Sequence, residues 1–353
     1  MFSRRIKHAQ RYQEIINAFL RNGFSYVLFR LGLTDRASSK NLEESEENMN
    51  LRTIGVKLRN ILQGLGPTFI KLGQIASTRR DLVPEEIANE LERLQDQVTA
   101  YPYHIIREII EEELGDTPEH LFRDFQEDPL ATASIGRVHL AQLHQGEHIA
   151  LKIQRPDIQP IVETDLEILA NLAKLMESKF SWAKDYQISH MLKEFSASLL
   201  DELDYQIEAR HGERMAKQFK NEPTIHIPKV YWSLTTKKVL AMAFIQGTKV
   251  SRIDQLDDAE YDRKIIAERI THSMLHQILI EGFFHGDPHP GNIYILPGNE
   301  ICYLDFGMVG RLSDDMKYQF ASLIINLRDG HTNGMLKAFS SLNLISHETN
   351  ISS

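Results

Sequence analysis

The stretch His285-Gly286-Asp287-Pro288-His289-Pro290-Gly291-Asn292 constrains this chain more than any other part of it. Three groups able to handle a proton or a metal stand among two prolines and two glycines, and an apolar run follows at once. Asp287 and Asn292 lie five apart, and 18 residues after Asp287 a second aspartate, Asp305, opens Asp-Phe-Gly behind a strand-like run of four. Phosphoryl transfer needs this set: an aspartate near the nucleophile, and an asparagine and a second aspartate that hold Mg²⁺ against phosphates. Hard oxygen ligands suit Mg²⁺. Zinc on His285 and His289 is the weaker reading, because no third protein ligand follows at a convincing spacing. A purely structural Gly/Pro turn would not predict Asp-Phe-Gly at a strand end downstream.

With 353 residues, 42% of them hydrophobic and 25% charged, the chain can bury a sizeable core in two or more sub-domains. A net charge of −9 argues against nucleic acid as partner. One cysteine, Cys302, allows no internal disulfide and fits a reducing compartment. No apolar run is long enough to span a bilayer. Residues 1–33 set Arg4, Arg5, Lys7, Arg11, Arg21 and Arg30 against the single acid Glu14, interleaved with apolar residues. Two readings stand level: a basic amphipathic helix on an anionic membrane, or a helix docked on its own domain with a solvated basic face.

The acidic stretch 36–50 reads as a linker. Residues 50–127 read as all-helical, with one helix starting at Pro67 and another at Pro84. The pattern alternates after Pro129, giving two strands that turn at Gln145-Gly146-Glu147. Helices are expected over 157–180 and 187–218, and a second strand pair over 227–247. From about 252 onward the chain reads as mainly helical, apart from short strands flanking the opening motif. The layout is two-lobed, and the expected divisions are 1–49, 50–127, 128–247 and 248–353.

A phosphoryl-transfer site also needs a lysine on a strand and an acid on a helix. "HIALKIQRP" supplies Lys152, and "FSASLLDELDYQIEAR" supplies Asp204 and Glu208, four apart and on one face, either of which could reach Lys152. Glu202, about 200° from Asp204 on a continuous helix, faces elsewhere.

Together these residues resemble the UbiB/AarF family of atypical kinases, members of the protein kinase-like superfamily. The match runs over about 51–313. The HGD with its following asparagine is shared with small-molecule kinases such as aminoglycoside phosphotransferases. Three further motifs are specific to UbiB-like proteins: Lys71-Leu72-Gly73-Gln74 (KxGQ), Ala131-Thr132-Ala133-Ser134-Ile135-Gly136 (the alanine-rich loop) and Glu202-Leu203-Asp204 (ExD).

The resemblance implies an α+β, bilobal protein kinase-like fold: a small antiparallel-sheet N-lobe, a mainly helical C-lobe and an N-terminal helical extension. It implies ATP or ADP and Mg²⁺ as cofactors. Asp287 would be the catalytic aspartate, with Lys152 on the phosphates and paired to Glu208. Asn292 and Asp305 would hold metal, while Ala131, Ala133, Ser134, Gly136, Met242 and Phe244 would line the nucleotide. Lys71 and Gln74 would fold over the pocket opposite Glu202 and Asp204. Alanine reaches positive φ less cheaply than glycine, so the loop should be stiff, favouring slow ATP hydrolysis over protein phosphorylation. The implied role is phosphoryl transfer or ATP hydrolysis supporting isoprenoid quinone biosynthesis or lipid homeostasis, cytoplasmic and peripheral on the inner face of a membrane. A small-molecule kinase and a nucleotide-binding scaffold without turnover are the competing readings. Ala243 and Gln246 depart from the family's acidic preferences near the hinge. The chain stops at Ser353, where many relatives continue, so a truncated C-lobe is expected.

Overall fold

A computed structural model describes residues 2–34, 50–94, 101–132 and 135–342. The chain divides into two compact units, Met1–Gly146 with Leu151–Leu203, and Glu147–Ala150 with Asp204–Ser353.

The first unit is a helical body carrying short strands. Helices α1 (Phe2–Arg21), α2 (Ser25–Leu31), α3 (Leu51–Leu65), α4 (Pro67–Thr78) and α5 (Glu85–Leu91) come first. They are followed by α6 (Tyr103–Leu114) and α7 (Pro118–Leu121). Asn50 caps α3 by accepting the Arg52 N–H, and Pro67 opens α4, where a missing N–H costs nothing. Residues 50–127 are not all helix, however. After α7 the backbone extends as β1 (Asp124–Phe125) and pairs antiparallel with β3 (Gly136–Gln142), as does β2 (Ala131–Thr132). Gly146, at φ 96°, makes the turn into β4 (His148–Gln154), a conformation costly for any residue with a Cβ.

Helices α8 (Ile158–Lys179), α9 (Ser181–Asp185) and α10 (Ile188–Glu202) complete the unit. One core gathers Ile15, Ile61, Leu62, Phe69, Leu91 and Ile168, and a second gathers Val162, Leu166, Phe195, Leu199 and Leu203. Ile15 of α1 is buried in the first core, and Arg11 binds the fully buried Asp165 through Nε at 2.7 Å. The basic N-terminal helix is therefore docked on its own unit.

The expected helix over 187–218 is two helices. Asp204 leaves helical geometry (φ −114°, ψ 94°) and caps α11 (Tyr205–Gln218) by accepting the Gln206 N–H at 3.0 Å. An aspartate at this position competes with the helix for the backbone. The 200° separation of Glu202 from Asp204 on one continuous helix is thereby corrected.

In the second unit β5 (Ile225–His226), β10 (Glu300–Tyr303), β9 (Ile293–Leu296) and β7 (Thr248–Lys249) form a four-stranded sheet in that order. Only one strand of the pair expected over 227–247 is regular, β6 (Val239–Ala243). Pro228 has no N–H to give a ladder, Val230 makes a single bridge to Met242, and Trp232–Leu234 turns as a 3₁₀ helix. Helices α12 (Ile253–Asp258), α13 (Arg263–Leu275), α14 (Asp314–Asp329) and α15 (Thr332–Ser341), with the pair β8 (Phe283–His285) and β11 (Val309–Arg311), complete it. Its core is Met215, Phe283, Ile295, Ile301, Tyr303 and Phe306.

Candidate active site

Two loops of the second unit carry the motif. Residues 286–292 join β8 to β9, and 304–308 join β10 to β11. Strand pairing alone brings the loops together, since β8 pairs with β11 and β9 with β10. Backbone bonds then fasten them: Leu304 N–H to Asn292 O at 2.8 Å, and Gly286 N–H to Met308 O at 2.9 Å. Asp287, Asn292 and Asp305 thus belong to one hydrogen-bonded assembly. The Asn292 amide nitrogen donates to the Asp287 carbonyl at 3.2 Å, which turns its oxygen the other way as a potential cation ligand. Asp305 stands in the left-handed region, φ 60°, and accepts the Gly307 N–H at 3.2 Å. Aspartate is among the few side chains that tolerate this backbone, through such a local bond.

His285 organises the assembly from inside. It is 1% exposed, and both ring nitrogens are spent. Nδ1 accepts the Asp287 N–H at 3.1 Å, so Nε2 carries the proton and donates to Leu304 O at 3.0 Å. Burial holds its pKa below the ordinary histidine value, keeping this neutral tautomer. A ring so engaged has no lone pair left for zinc. His289 stays exposed, with Nδ1 accepting the Gly291 N–H at 2.9 Å and Nε2 3.8 Å from Asp287 Oδ2.

Sequence reasoning missed three residues here. The segment His276–Glu281 is a π-helix, and its fully buried Gln277 accepts the His285 N–H through Oε1 at 2.9 Å. π-Turns collect at functional sites. Gly212 of α11 faces Phe306, where an added Cβ would sit 3.2 Å from the ring. His211 Nδ1 donates to Phe306 O at 3.0 Å. A small pocket lies between α11 and β6, lined by Glu208, Gly212, Val230, Leu240, Met242 and Phe306 among others. Glu208 is the acid of this otherwise apolar lining and is 5% exposed. Phe244 spends its N–H on His148 O at 3.0 Å, and Ala243 spends its own on Lys229 O at 2.8 Å.

The first unit holds the remaining candidates. Lys152 stands in β4 between Leu151 and Ile153, which point inward with no exposure, so Lys152 takes the opposite face. Ala131 and Thr132 pair with Val138 and Arg137 in register, and Gly136 opens β3; Ala133 and Ser134 lie outside the described residues. Lys71 donates to Glu202 at 2.9 Å. Gly73 explains the glycine of this motif: a Cβ there would lie 2.3 Å from Leu94 and 2.7 Å from Leu62. Gln74 is half-buried on the same helix, while Asp204 begins the next unit as a helix cap.

A family described as "ABC1 atypical kinase-like domain" matches residues 93–339. The chain belongs to this family. Among its relatives is the probable protein kinase UbiB of Pseudomonas aeruginosa, 39% identical over 77% of this chain and 52% of the relative. Another is the chloroplastic protein Activity of BC1 complex kinase 7 of Arabidopsis thaliana, 38% identical over 76% of this chain and 39% of the relative. The chain thus spans about half the length or less of these relatives. A solved structure, that of a Mycobacterium tuberculosis protein in complex with erythromycin, covers 89% of this chain and 78% of its own at TM-score 0.59 and 23% identity. That likeness carries the fold alone. The UbiB/AarF resemblance and the α+β kinase-like fold class therefore stand.

Proposed function

We propose that this ABC1-family protein binds Mg-ATP and turns it over, by hydrolysis or phosphoryl transfer, in support of isoprenoid quinone biosynthesis or lipid homeostasis at a membrane surface. The observation that carries the reading is the assembly of Asp287, Asn292 and Asp305 on two interlocked loops. Their oxygen donors fit a hard cation that keeps part of its water and takes the rest of its shell from phosphates. Mg²⁺, when bound, supplies charge neutralisation on the phosphate oxygens.

The chain's own residues do the rest. Asp287 accepts a proton from the attacking hydroxyl or water, and the neutral His285 fixes the backbone that presents it. Asn292 and Asp305 hold the cation. Lys152 is assigned to the phosphate oxygens and Glu208 to the acidic role that accompanies it, while Ala131, Ala133, Ser134, Gly136, Met242 and Phe244 are assigned to the nucleotide. Lys71, Gln74, Glu202 and Asp204 are assigned the regulatory role that limits access. The role in quinone metabolism draws on the UbiB/AarF resemblance, and the membrane share on the basic residues, Arg21 and Arg30 among them, that the docked N-terminal helices leave exposed.

The test is phosphate release from Mg-ATP by the purified chain, with and without quinone-precursor mimics. Slow turnover lost in Asp287→Asn supports the reading. Nucleotide binding without turnover makes the protein a scaffold, and label transferred to a small hydroxylated acceptor makes it a small-molecule kinase.

A further inference from the structure

The first unit shows a surface that the phosphoryl-transfer reading does not use. Positions 26–30 and 179–186, far apart in sequence, meet at one corner. Arg30 of α2 lies over the ring of Phe180 at 5.7 Å and over that of Tyr26 at 5.9 Å, and donates to the Tyr26 hydroxyl at 3.2 Å. Phe180 stacks on Trp182 at 6.1 Å, and Tyr186 follows one turn later, its N–H on Trp182 O at 3.0 Å. Trp182 is 48% exposed and Tyr186 52%. Ala183 between them is fully buried and pins the short helix α9 to the unit. The aromatics are therefore held outward on a fixed platform.

We propose that this corner is a bilayer-contact surface that seats anionic phospholipid headgroups, with Trp182 and Tyr186 entering the interfacial layer. The inference rests on the membrane half of the proposed function and not on its chemistry. Trp and Tyr prefer the membrane–water interface because an apolar ring and a polar edge are both satisfied there. Arg30 and the exposed Lys179 and Lys184 flank the rings. Of the nearby acids, Asp185 is exposed, while Glu177 gives its two oxygens to the Ser189 N–H and hydroxyl at 2.8 and 2.7 Å. A chain of net charge −9 is repelled by an anionic membrane unless it presents a locally cationic face. A second copy fits less well, because a two-fold contact centred here would bring these three cations against their own copies.

Trp182 and Trp232 are the two tryptophans, so the full chain carrying Trp232→Phe reports on Trp182 alone. With phosphatidylglycerol-rich vesicles its emission should shift to the blue and be quenched by brominated acyl chains. Neutral phosphatidylcholine should give little response, and added salt should weaken binding. Arg30→Ala and Lys184→Ala should each lower partitioning about fivefold. Trp182→Ser should weaken binding while leaving phosphate release in vesicle-free solution unchanged. Emission that ignores the vesicles would overturn the proposal, as would undiminished binding by Trp182→Ser. So would self-association without lipid that Trp182→Ser abolishes, since the surface would then serve a second copy. Failure of ATP turnover would leave this optical readout untouched.

Discussion

Lys71 donates to Glu202 at 2.9 Å across 131 positions of sequence, joining the KxGQ helix to the last residue of α10. Both side chains are about one-fifth exposed, so water screens the pair and its contribution to stability is about 0–1 kcal/mol. Glu202→Gln should lower the melting temperature by only a few degrees, at about 2–4 °C per kcal/mol. It should nonetheless change nucleotide affinity, because a carboxylate that neutralises Lys71 is gone. The exchange Lys71→Glu with Glu202→Lys should restore most of the effect in a calorimetric and nucleotide-binding series. A large stability loss that the exchange does not mend would place the pair among the core contacts.

Gly73→Ala tests the packing of the same helix. Its methyl group would fall well inside contact distance of Leu62 and Leu94. Overpacking costs about 1–3 kcal/mol, and reduced unfolded-chain entropy returns about 0.4–1 kcal/mol. Net destabilisation of about 1–2 kcal/mol is expected in urea unfolding. Gly64→Ala, where a Cβ meets nothing within 4 Å, is the matched control and should be neutral or stabilising.

His285 sets a pH dependence of definite sign. Burial lowers its folded-state pKa below the ordinary 6.5. Above that value both folded and unfolded rings are neutral, and the bond from the Asp287 N–H is fully present. As pH falls below 6.5, the unfolded chain takes up a proton that the folded chain refuses, so stability is lost until the lower folded pKa is passed. The buried His139, also lowered chiefly by burial, adds a loss of the same sign. Urea midpoints between about pH 8 and pH 5 should fall, and the slope should flatten in His285→Gln by at most about 1.4 kcal/mol per pH unit. An unchanged slope would deny His285 its neutral, buried role.

Asp305→Asn separates charge from backbone. Asparagine also tolerates the left-handed conformation at φ 60° and can still accept the Gly307 N–H, so folding should survive. Loss of the carboxylate should weaken Mg-nucleotide binding on the order of tenfold, about 1.4 kcal/mol. Titration calorimetry with Mg-ATP, against ATP in chelator, reads this directly. Equal affinity for parent and variant would remove Asp305 from the metal set.

The sequence by itself determined which candidate site residues share a loop or strand and in what order, because their spacing is local. Asp287 and Asn292 share one loop, Asp305 ends a strand, and Lys152 alternates with apolar neighbours; each pattern is written in a few consecutive residues. Helix starts and periods were equally local, which is why α4 and α5 were legible from Pro67 and Pro84, while the Asn50 cap of α3 was not read. Tertiary structure alone decided whatever depends on an absent atom or a distant partner. Gly73 and Gly212 matter for the volume of a missing Cβ, and no periodicity records which ring or branch fills that space. Gln277 reaches His285 only through a π-turn, and Arg11 finds Asp165 only when α1 meets α8. Asp204 breaks a helical pattern that reads as continuous in the sequence because its side chain captures a backbone N–H, a competition that apolar spacing does not register. Long-range contacts are selected by packing and by the need to satisfy buried polar groups, and those terms exist only once the chain has folded.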